Sequence, residues 1–240
     1  MSAARAIRRL LVFGASGAIG GAVVRHARAR GWAVLGVGRG EAPADAEPAP
    51  WRRYDPLADD IAEALAGELP FDGVAFAQGA NLADSVQSFD AARHLELYRA
   101  NCLSVIAGLS ALHGAGLLAA AGARIAVVSS IWQDRARADK LSYTVTKAAI
   151  GGLVRSAAVD LGAEGHLVNG VLPGVLDTPM TAANVSAEQL AVVRAKTMVG
   201  RLPDLDTVAD LICFLCSAEN NSINGQSITV DLGMSNAHLL

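Results

Sequence analysis

The chain has 240 residues, 52% of them hydrophobic, which is enough to build one well-cored domain. Its net charge of -3 leaves no basic excess for binding nucleic acid or an anionic membrane surface. No apolar run approaches the ~18 residues of a membrane span, and the N-terminus lacks the long apolar core and cleavage site of a secretory signal. We therefore expect a single domain that binds neither nucleic acid nor membrane.

The three cysteines are Cys102, Cys213 and Cys216. An odd number without a spread-out framework indicates a reducing compartment, and we expect a cytoplasmic protein. Cys213 and Cys216 have C-x-x-C spacing, but they lie in a helix-like run over 207–219, and no second Cys or His cluster completes a zinc site. We interpret them as small apolar residues of a packed helix and predict no metal.

A glycine-rich turn follows the first apolar run, residues 9–13, and precedes a helical pattern over 21–30. Glycines in such a place let backbone N–H groups approach a pyrophosphate, which then lies at the positive helix N-terminus. The turn, with G-x-x-G-x-x-G spacing, contains six expected ligand contacts: Gly14, Ser16, Gly17, Ala18, Ile19 and Gly20. Its position between strand and helix predicts nucleotide binding, the alternative being a tight turn alone.

The second predicted strand, residues 32–37, is followed by Gly38 and Arg39. At this distance past the glycine turn, a generic NAD site has an acidic residue that holds the ribose hydroxyls. Here no carboxylate repels a 2′-phosphate, and the Arg39 guanidinium is available to pair with it. The sequence therefore favours NADP(H) over NAD(H), unless Arg39 is only a solvent-exposed residue of the turn.

The rest of the chain alternates strands with helices. We predict strands at 51–55, 71–77, 124–130, 166–172 and 227–231. We predict helices at 55–68, 143–163 and 207–217, and one or two long helices over 89–119. Residues 41–50 form an exposed connection, and 178–200 contain one or two short helices. This alternation predicts an α/β fold, a doubly wound parallel sheet with helices on both faces, in a single domain over 1–240. Its ligands bind outside the carboxyl ends of the strands.

Tyr143 and Lys147 are four residues apart in a helix-compatible run, which places them on one helical face. A lysine ammonium there stabilises a phenolate and lowers the tyrosine pKa from its ordinary value near ~10. The phenol then becomes a usable acid and base at neutral pH. By itself the pair is weak evidence, because most such pairs are a half-buried ring with a snorkelling lysine.

In their order, these motifs resemble the short-chain dehydrogenase/reductase family in its compact single-domain branch, and its 3-oxoacyl reductases in particular. The resemblance spans nearly the whole chain and implies a Rossmann-type NAD(P)-binding domain. It rests on the glycine turn, Asp55, Asn101, Ser130, Tyr143-x-x-x-Lys147, Pro173-Gly174, Thr178-Pro179-Met180 and Asn224-Gly225-Gln226 before Val230-Asp231-Leu232-Gly233. The 13 residues from Ser130 to Tyr143 also look like the family's spacing, which selects Ser130 over Ser129.

The resemblance implies a catalytic tetrad. Tyr143 exchanges a proton with the substrate oxygen while a hydride moves to or from the nicotinamide. Lys147 lowers the tyrosine pKa and bonds the nicotinamide ribose, and Ser130 holds the substrate oxygen. Asn101 helps to hold a water that relays protons to Lys147, unless it is a helix-interior amide bonding its own backbone.

The resemblance also implies the remaining cofactor contacts. Asp55 contacts adenine, Gln78 and Gly79 lie beside the ribose, and Thr178 and the turn after the sixth strand hold the nicotinamide end. That turn contains Pro173, Gly174 and Val175.

The implied function is an NADP(H)-dependent interconversion of a small ketone and a secondary alcohol. A silent nucleotide-binding sensor and an epimerase or dehydratase are the alternatives. Residues 178–200 and the charged loop 134–140 border the substrate, and Arg135, Arg137 and Lys140 meet either solvent or an anionic substrate such as an acyl thioester. Since family members commonly assemble through the helices that contain Asn101 and Tyr143, we predict a homotetramer or homodimer.

Three departures from the family pattern stand out. The glycine spacing looks like that of a longer, two-lobed branch, and Phe13 stands where threonine is usual. Ala77-Gln78-Gly79 replaces the usual Asn-Ala-Gly, so cofactor contacts near Gln78 are expected to differ.

Overall fold

The computed structural model describes residues 8–42, 50–183 and 185–236. Within them, seven strands form one parallel sheet in the order β3-β2-β1-β4-β5-β6-β7. The strands are β1 (Arg9–Phe13), β2 (Ala33–Gly38), β3 (Trp51–Arg53), β4 (Gly73–Phe76), β5 (Arg124–Val128), β6 (Leu167–Pro173) and β7 (Ser227–Val230). Because β1 lies between β2 and β4, the strand order reverses there, and ligands bind at such a switch point.

The helices connect successive strands. They are α1 (Ala18–Ala29), α2 (Ile61–Ala64), α3 (Ala91–Tyr98), α4 (Ser104–Gly114), α5 (Leu141–Asp160), α6 (Pro179–Ala182), α7 (Ala187–Lys196) and α8 (Leu205–Leu215). A π-helical turn, Arg99–Leu103, joins α3 to α4.

Two hydrophobic cores lie on opposite faces of the sheet. Alternate residues of β1 point to each: Leu11 packs in the core that includes residues of α4 and α5, and Leu10 in the core that includes residues of α1 and α8. Strands covered on both faces read as continuous apolar runs, which explains the pattern of 9–13. The predicted doubly wound α/β fold is confirmed.

One predicted helix is shorter in the structure. The helix expected over 55–68 is reduced to α2, because the Asp55 carboxylate accepts a hydrogen bond from the Leu57 nitrogen and holds a separate turn, and Asp60 caps a new helix start at Ile61. The one or two helices expected over 89–119 are α3 and α4, joined by the π-helical turn. Of the predicted connection 41–50, residues 43–49 lie outside the described residues, as do the N-terminal residues 1–7.

Cys213 and Cys216 are buried in the core that also contains Leu10 and residues of α1. Burial raises the pKa of Cys213 to about 11 and that of Cys216 to about 12, so both remain thiols. Among the described residues, no group of three or more His, Cys, Asp or Glu gathers to hold a metal. Over the same residues, no helix combines the length and apolar character needed to cross a membrane.

Candidate active site

A cleft of about 910 Å³ opens at the carboxyl ends of β1, β2, β4, β5 and β6. Most of the predicted site residues line it: Gly14, Ser16, Gly17, Ala18, Ile19, Arg39, Asp55, Gln78, Gly79, Ser130, Tyr143, Pro173, Gly174, Val175 and Thr178. The other three, Gly20, Asn101 and Lys147, are buried and do not line the cleft. The structure therefore brings the predicted residues to one place.

The glycine turn packs too closely for side chains. Gly14 has a φ of +72°, and a Cβ there would lie 2.6 Å from the Gln78 nitrogen, while a Cβ at Gly20 would collide with the Gly14 carbonyl oxygen. α1 begins at Ala18, three residues earlier than predicted, and no side chain caps it. Its first N–H groups therefore remain available beside the cleft, where an anion is favoured.

Arg39 is exposed at the rim of the cleft, without an ion pair or hydrogen bond to any other described residue. Trp51 braces the turn that contains it, because its ring nitrogen donates to the Gly40 carbonyl at 3.0 Å. A Cβ at Gly38 would lie 2.7 Å from the Trp51 ring. An acidic side chain at position 38 therefore has no room unless Trp51 moves.

Aromatic residues pack beside the Asp55 side of the cleft. Phe13 stacks on Phe76 with ring centres 4.6 Å apart and meets the edge of Tyr54 at 6.2 Å. Phe13, which stands where the family usually has threonine, thus lines the cleft and contributes a ring to this aromatic packing. The Asp55 carboxylate accepts a hydrogen bond from the Leu57 nitrogen, which fixes it at the cleft.

Gln78 presents an unpaired amide at the cleft. Both polar atoms of its side chain are buried, and neither has a hydrogen-bond partner among the described residues. A buried amide without a partner is costly, so this one is suited to bonding a ligand. Together with the uncapped start of α1 and the space left by the glycines, it fits a nicotinamide dinucleotide.

Tyr143 and Lys147 lie on one face of α5, as predicted. The Lys147 Nζ is 5.6 Å from the centre of the Tyr143 ring and donates to the Val128 carbonyl at 3.3 Å. Ser130 follows β5, and hydrogen bonding by its side chain acts to lower the pKa of Tyr143. Phenol, serine hydroxyl and ammonium therefore meet at the end of β5.

The tyrosine is not activated in the way that we predicted. Burial raises the pKa of Tyr143, and the hydrogen bond from Ser130 opposes that rise only in part. Burial also lowers the pKa of Lys147 to about 8, with Cys102 acting in the opposite direction. The prediction that Lys147 brings the tyrosine pKa below its ordinary value is wrong for this structure, although Lys147 keeps its proton at neutral pH.

Asn101 lies in the π-helical turn, and its side chain bonds other segments rather than its own helix. Its Oδ1 accepts from the Ala80 nitrogen at 2.7 Å, and its Nδ2 donates to the Ala80 carbonyl and the Thr146 hydroxyl. Asn101 thus ties the loop after β4 to α5, one residue before Lys147. π-Helical turns often occur at functional sites.

Sequence reasoning missed a polar cluster at the start of α5. The Asp84 carboxylate accepts hydrogen bonds from the Ser142 nitrogen, at 2.9 Å, and from the Ser142 hydroxyl. Because that hydroxyl gives its proton to Asp84, the His94 Nδ1, 2.8 Å away, must donate to it. Asp84 and Ser142 are 58 positions apart in the chain, so no local signal predicts this contact.

The charged loop 134–140 divides into two parts. Arg135 does not line the cleft, and it donates to the Ser235 carbonyl at 2.9 Å. Arg137 and Lys140 line the cleft, as do Trp132 and Met180. The Lys140 Nζ is 5.9 Å from the centre of the Tyr143 ring, on a side chain that is almost fully buried.

Comparisons with known proteins identify the family. A family model described as enoyl-(acyl carrier protein) reductase matches residues 14–235. L-xylulose reductase of Bos taurus is 31% identical, over 94% of this chain and 96% of its own length. The chain belongs to the short-chain dehydrogenase/reductase family. This confirms the family that the motifs resemble.

Other similar proteins match part of the chain or share its fold. Cis-4-hydroxycyclohexanecarboxylate dehydrogenase of Sinomonas cyclohexanicum is 39% identical over 115 residues, which are 48% of this chain and 46% of that relative. In that match the chain spans less than half of the relative's length. Gluconate 5-dehydrogenase of Burkholderia cenocepacia J2315, solved with NADP and tartrate, has a TM-score of 0.86 and 24% identity, covering 96% of each chain.

Proposed function

We propose that this protein is an NADP(H)-dependent oxidoreductase that interconverts a ketone and a secondary alcohol. The observation that carries the proposal is that Tyr143 and Ser130 line the same cleft as the glycine turn and Arg39, with the ammonium of the buried Lys147 5.6 Å from the centre of the Tyr143 ring. A nucleotide sensor has no use for Tyr143, Ser130 and Lys147, and an oxidoreductase uses all of them.

The chemistry needs a hydride and a proton at one carbonyl group. A nicotinamide cofactor in the cleft supplies or accepts the hydride. Tyr143 donates the proton to the carbonyl oxygen in reduction and takes the hydroxyl proton in oxidation. The Ser130 hydroxyl orients that oxygen and stabilises its developing negative charge. The protonated Lys147 stabilises the phenolate that Tyr143 becomes when it gives up its proton.

Several residues would hold the cofactor. The N–H groups at the start of α1 suit the pyrophosphate, and the unpaired Gln78 amide suits a polar group of the cofactor. The Arg39 guanidinium, which has no ion pair or hydrogen bond to another described residue, suits a 2′-phosphate. The Trp51 ring leaves no room for a competing carboxylate at position 38. Residues 178–200, which contain α6 and α7, border the substrate in this proposal; Met180 lines the cleft there.

The cofactor preference is tested by titrating wild-type protein and Arg39→Ala with NADPH and with NADH, following nicotinamide fluorescence. We expect the variant to lose on the order of 10- to 100-fold in NADPH affinity, as for a lost charge-assisted hydrogen bond, and less than about threefold in NADH affinity. Arg93→Ala, which removes an exposed arginine of α3 outside the cleft lining, serves as control. Equal losses for both cofactors in Arg39→Ala contradict the 2′-phosphate assignment.

Turnover is tested on the NADPH complex with simple ketones and with 3-oxoacyl thioesters, the latter because the sequence motifs resemble those of 3-oxoacyl reductases. Oxidation of NADPH by a panel member, with one alcohol formed for each NADPH consumed, supports the oxidoreductase. Tight NADPH binding without turnover of any ketone favours the sensor instead.

A further inference from the structure

Lys140 and Asn81 form a pair of polar groups beside Tyr143 that the proposed reaction does not use. Both line the cleft, and the Lys140 side chain is only 6% exposed. The ammonium group lies 5.9 Å from the centre of the Tyr143 ring. A lysine buried next to the reacting position needs a physical reason, because burying its charge costs free energy.

The hydrogen bonds of the pair leave donors unused. The Lys140 Nζ donates to the Asn81 Oδ1 at 2.8 Å and to the Leu82 carbonyl at 3.2 Å, so one of its three N–H groups has no partner among the described residues. Since an ammonium only donates, Asn81 must turn its oxygen towards Lys140. Its amide NH2 group then has no partner within the same residues.

No acidic side chain of the described residues lies within ion-pair distance of the Lys140 ammonium. Asp84 and Asp139 act on it from further away and raise the pKa of Lys140 against the effect of burial, while the Asp84 oxygens bond the Ser142 nitrogen and hydroxyl. Arg137, the other cation of this loop at the cleft, bonds only the adjacent Ala138 carbonyl among the described residues. Buried charge of one sign is stabilised by a ligand of the other sign.

We propose that Lys140 and Asn81 bind a carboxylate of the substrate, so that the protein acts on oxo acids and the corresponding hydroxy acids. An ammonium and an amide side by side offer one donor to each carboxylate oxygen. This proposal rests on the proposed function, in which Tyr143 protonates the substrate carbonyl. Because Lys140 lies close to Tyr143, one small molecule can place its carboxylate at Lys140 and its carbonyl group at Tyr143.

The test compares 2-, 3- and 4-oxo acids with their methyl esters, which keep the ketone and remove the negative charge. We expect the wild-type protein to prefer one oxo acid over its ester in kcat/KM. In Lys140→Met the acid-to-ester ratio should fall on the order of 10- to 100-fold, as for loss of a charge-assisted hydrogen bond, and Lys140→Arg should restore part of it.

A second variant separates recognition from structure. Asn81→Asp keeps an acceptor for Lys140, so a purely structural tie survives, but its negative charge repels a substrate carboxylate. We expect Asn81→Asp to lower the acid-to-ester ratio as well. Arg135→Ala, which removes a cation of the same loop outside the cleft lining, should leave the ratio unchanged. An unchanged ratio in Lys140→Met or Asn81→Asp, or an equal fall in Arg135→Ala, overturns the proposal.

Binding measurements keep this proposal separable from the oxidoreductase proposal. Calorimetry on the NADP-saturated protein compares each hydroxy acid with its primary amide and needs no turnover. Tighter binding of the acid, lost in Lys140→Met, supports the carboxylate site even if no ketone is reduced. Equal binding of acid and amide overturns it even if methyl esters are reduced.

Discussion

Lys147 is a buried lysine that stays charged at neutral pH although burial disfavours its charge. Its side chain is almost fully buried, and burial lowers its pKa from 10.5 to about 8. Among the described residues, its ammonium bonds a neutral carbonyl oxygen, that of Val128. Functional groups commonly lower the free energy of unfolding in this way, because sites are selected for activity and the rest of the fold supplies the stability.

Burying the charged Lys147 ammonium lowers the stability of the folded protein. We therefore predict that Lys147→Met stabilises the protein by an amount that depends on pH. Between pH 8 and pH 10.5 the unfolded chain binds more protons at this lysine than the folded one, so this residue makes stability rise with pH. The cost is therefore complete below pH 8 and fades as the pH rises to 10.5. We expect the variant to gain up to about 3 kcal/mol in free energy of unfolding at pH 7, and less at pH 10.

Denaturant unfolding of both proteins from pH 6 to pH 10 measures this difference. Lys196→Met serves as control, because Lys196 is exposed on α7 and its removal relieves no burial. A stability difference for Lys147→Met that stays constant over this pH range contradicts the account of a buried, charged lysine.

Sequence reasoning located the residues of the site better than their electrostatics. Tyr143, Ser130 and Lys147 follow from spacing and from a family resemblance, and the structure places them together. The direction of the tyrosine pKa did not follow, because it depends on how much water the fold leaves around the phenol. The unpaired amide of Gln78 is likewise a result of burial that its neighbours in sequence do not encode.

α5 depends on a distant segment for its N-terminal cap. Its own N-cap residue, Lys140, provides no side-chain cap, and Asp84 supplies the acceptors for the Ser142 nitrogen and hydroxyl instead. The Leu141 nitrogen also donates to the Asp84 carbonyl at 3.1 Å. The first turn of the helix that contains Tyr143 is thus fixed to the loop after β4.

This arrangement predicts that Asp84→Ala weakens both stability and turnover. Losing a buried cap should cost about 1–3 kcal/mol in free energy of unfolding, and a looser first turn should lower kcat. Hydrogen exchange at the Leu141, Ser142 and Tyr143 amides should also accelerate.

Asp60→Ala removes the cap of α2, away from Tyr143, and is the matched control. We expect it to lower stability without changing kcat or amide exchange in α5. If the two variants behave alike in all three measurements, Asp84 has no special role in holding Tyr143.

The ends of the strands and helices show which parts of the secondary structure the local sequence predicts. Strands such as β1 match their prediction, because an apolar run is buried on both faces. The helix predicted over 55–68 does not begin at Asp55, because the Asp55 side chain bonds the Leu57 nitrogen in a turn of its own; the helix begins later, where Asp60 caps α2. The π-helical turn was unpredictable, because Asn101 bonds Ala80 and Thr146, which the sheet brings to it from elsewhere in the chain.

At the scale of the whole molecule, apolar side chains remain exposed on two neighbouring helices. Val159 on α5 is 78% exposed, and Val145 on α5 and Ile106 on α4 are also exposed. Exposed apolar residues that form a patch are a feature of interaction sites. Assembly through these helices stays a prediction.

We predict that the 24.7 kDa chain forms a homotetramer, or at least a homodimer, in solution. Light scattering measures the mass of the assembly. Val159→Glu should lower the measured mass, because burying a carboxylate at an interface is unfavourable. Val192→Glu, at an exposed position of α7, should not lower it. A monodisperse monomer of wild-type protein at micromolar concentration contradicts this prediction.

The claim that Tyr143 transfers the proton is tested most directly by Tyr143→Phe, which removes one hydroxyl group and keeps the ring. Cofactor affinity from nicotinamide fluorescence and kcat with the best ketone are measured on the same preparation. We expect NADPH affinity within about threefold of wild type and a kcat lower by on the order of 10²- to 10⁴-fold, the usual contribution of a positioned acid–base group. A variant that binds NADPH normally and retains wild-type kcat would show that another group transfers the proton.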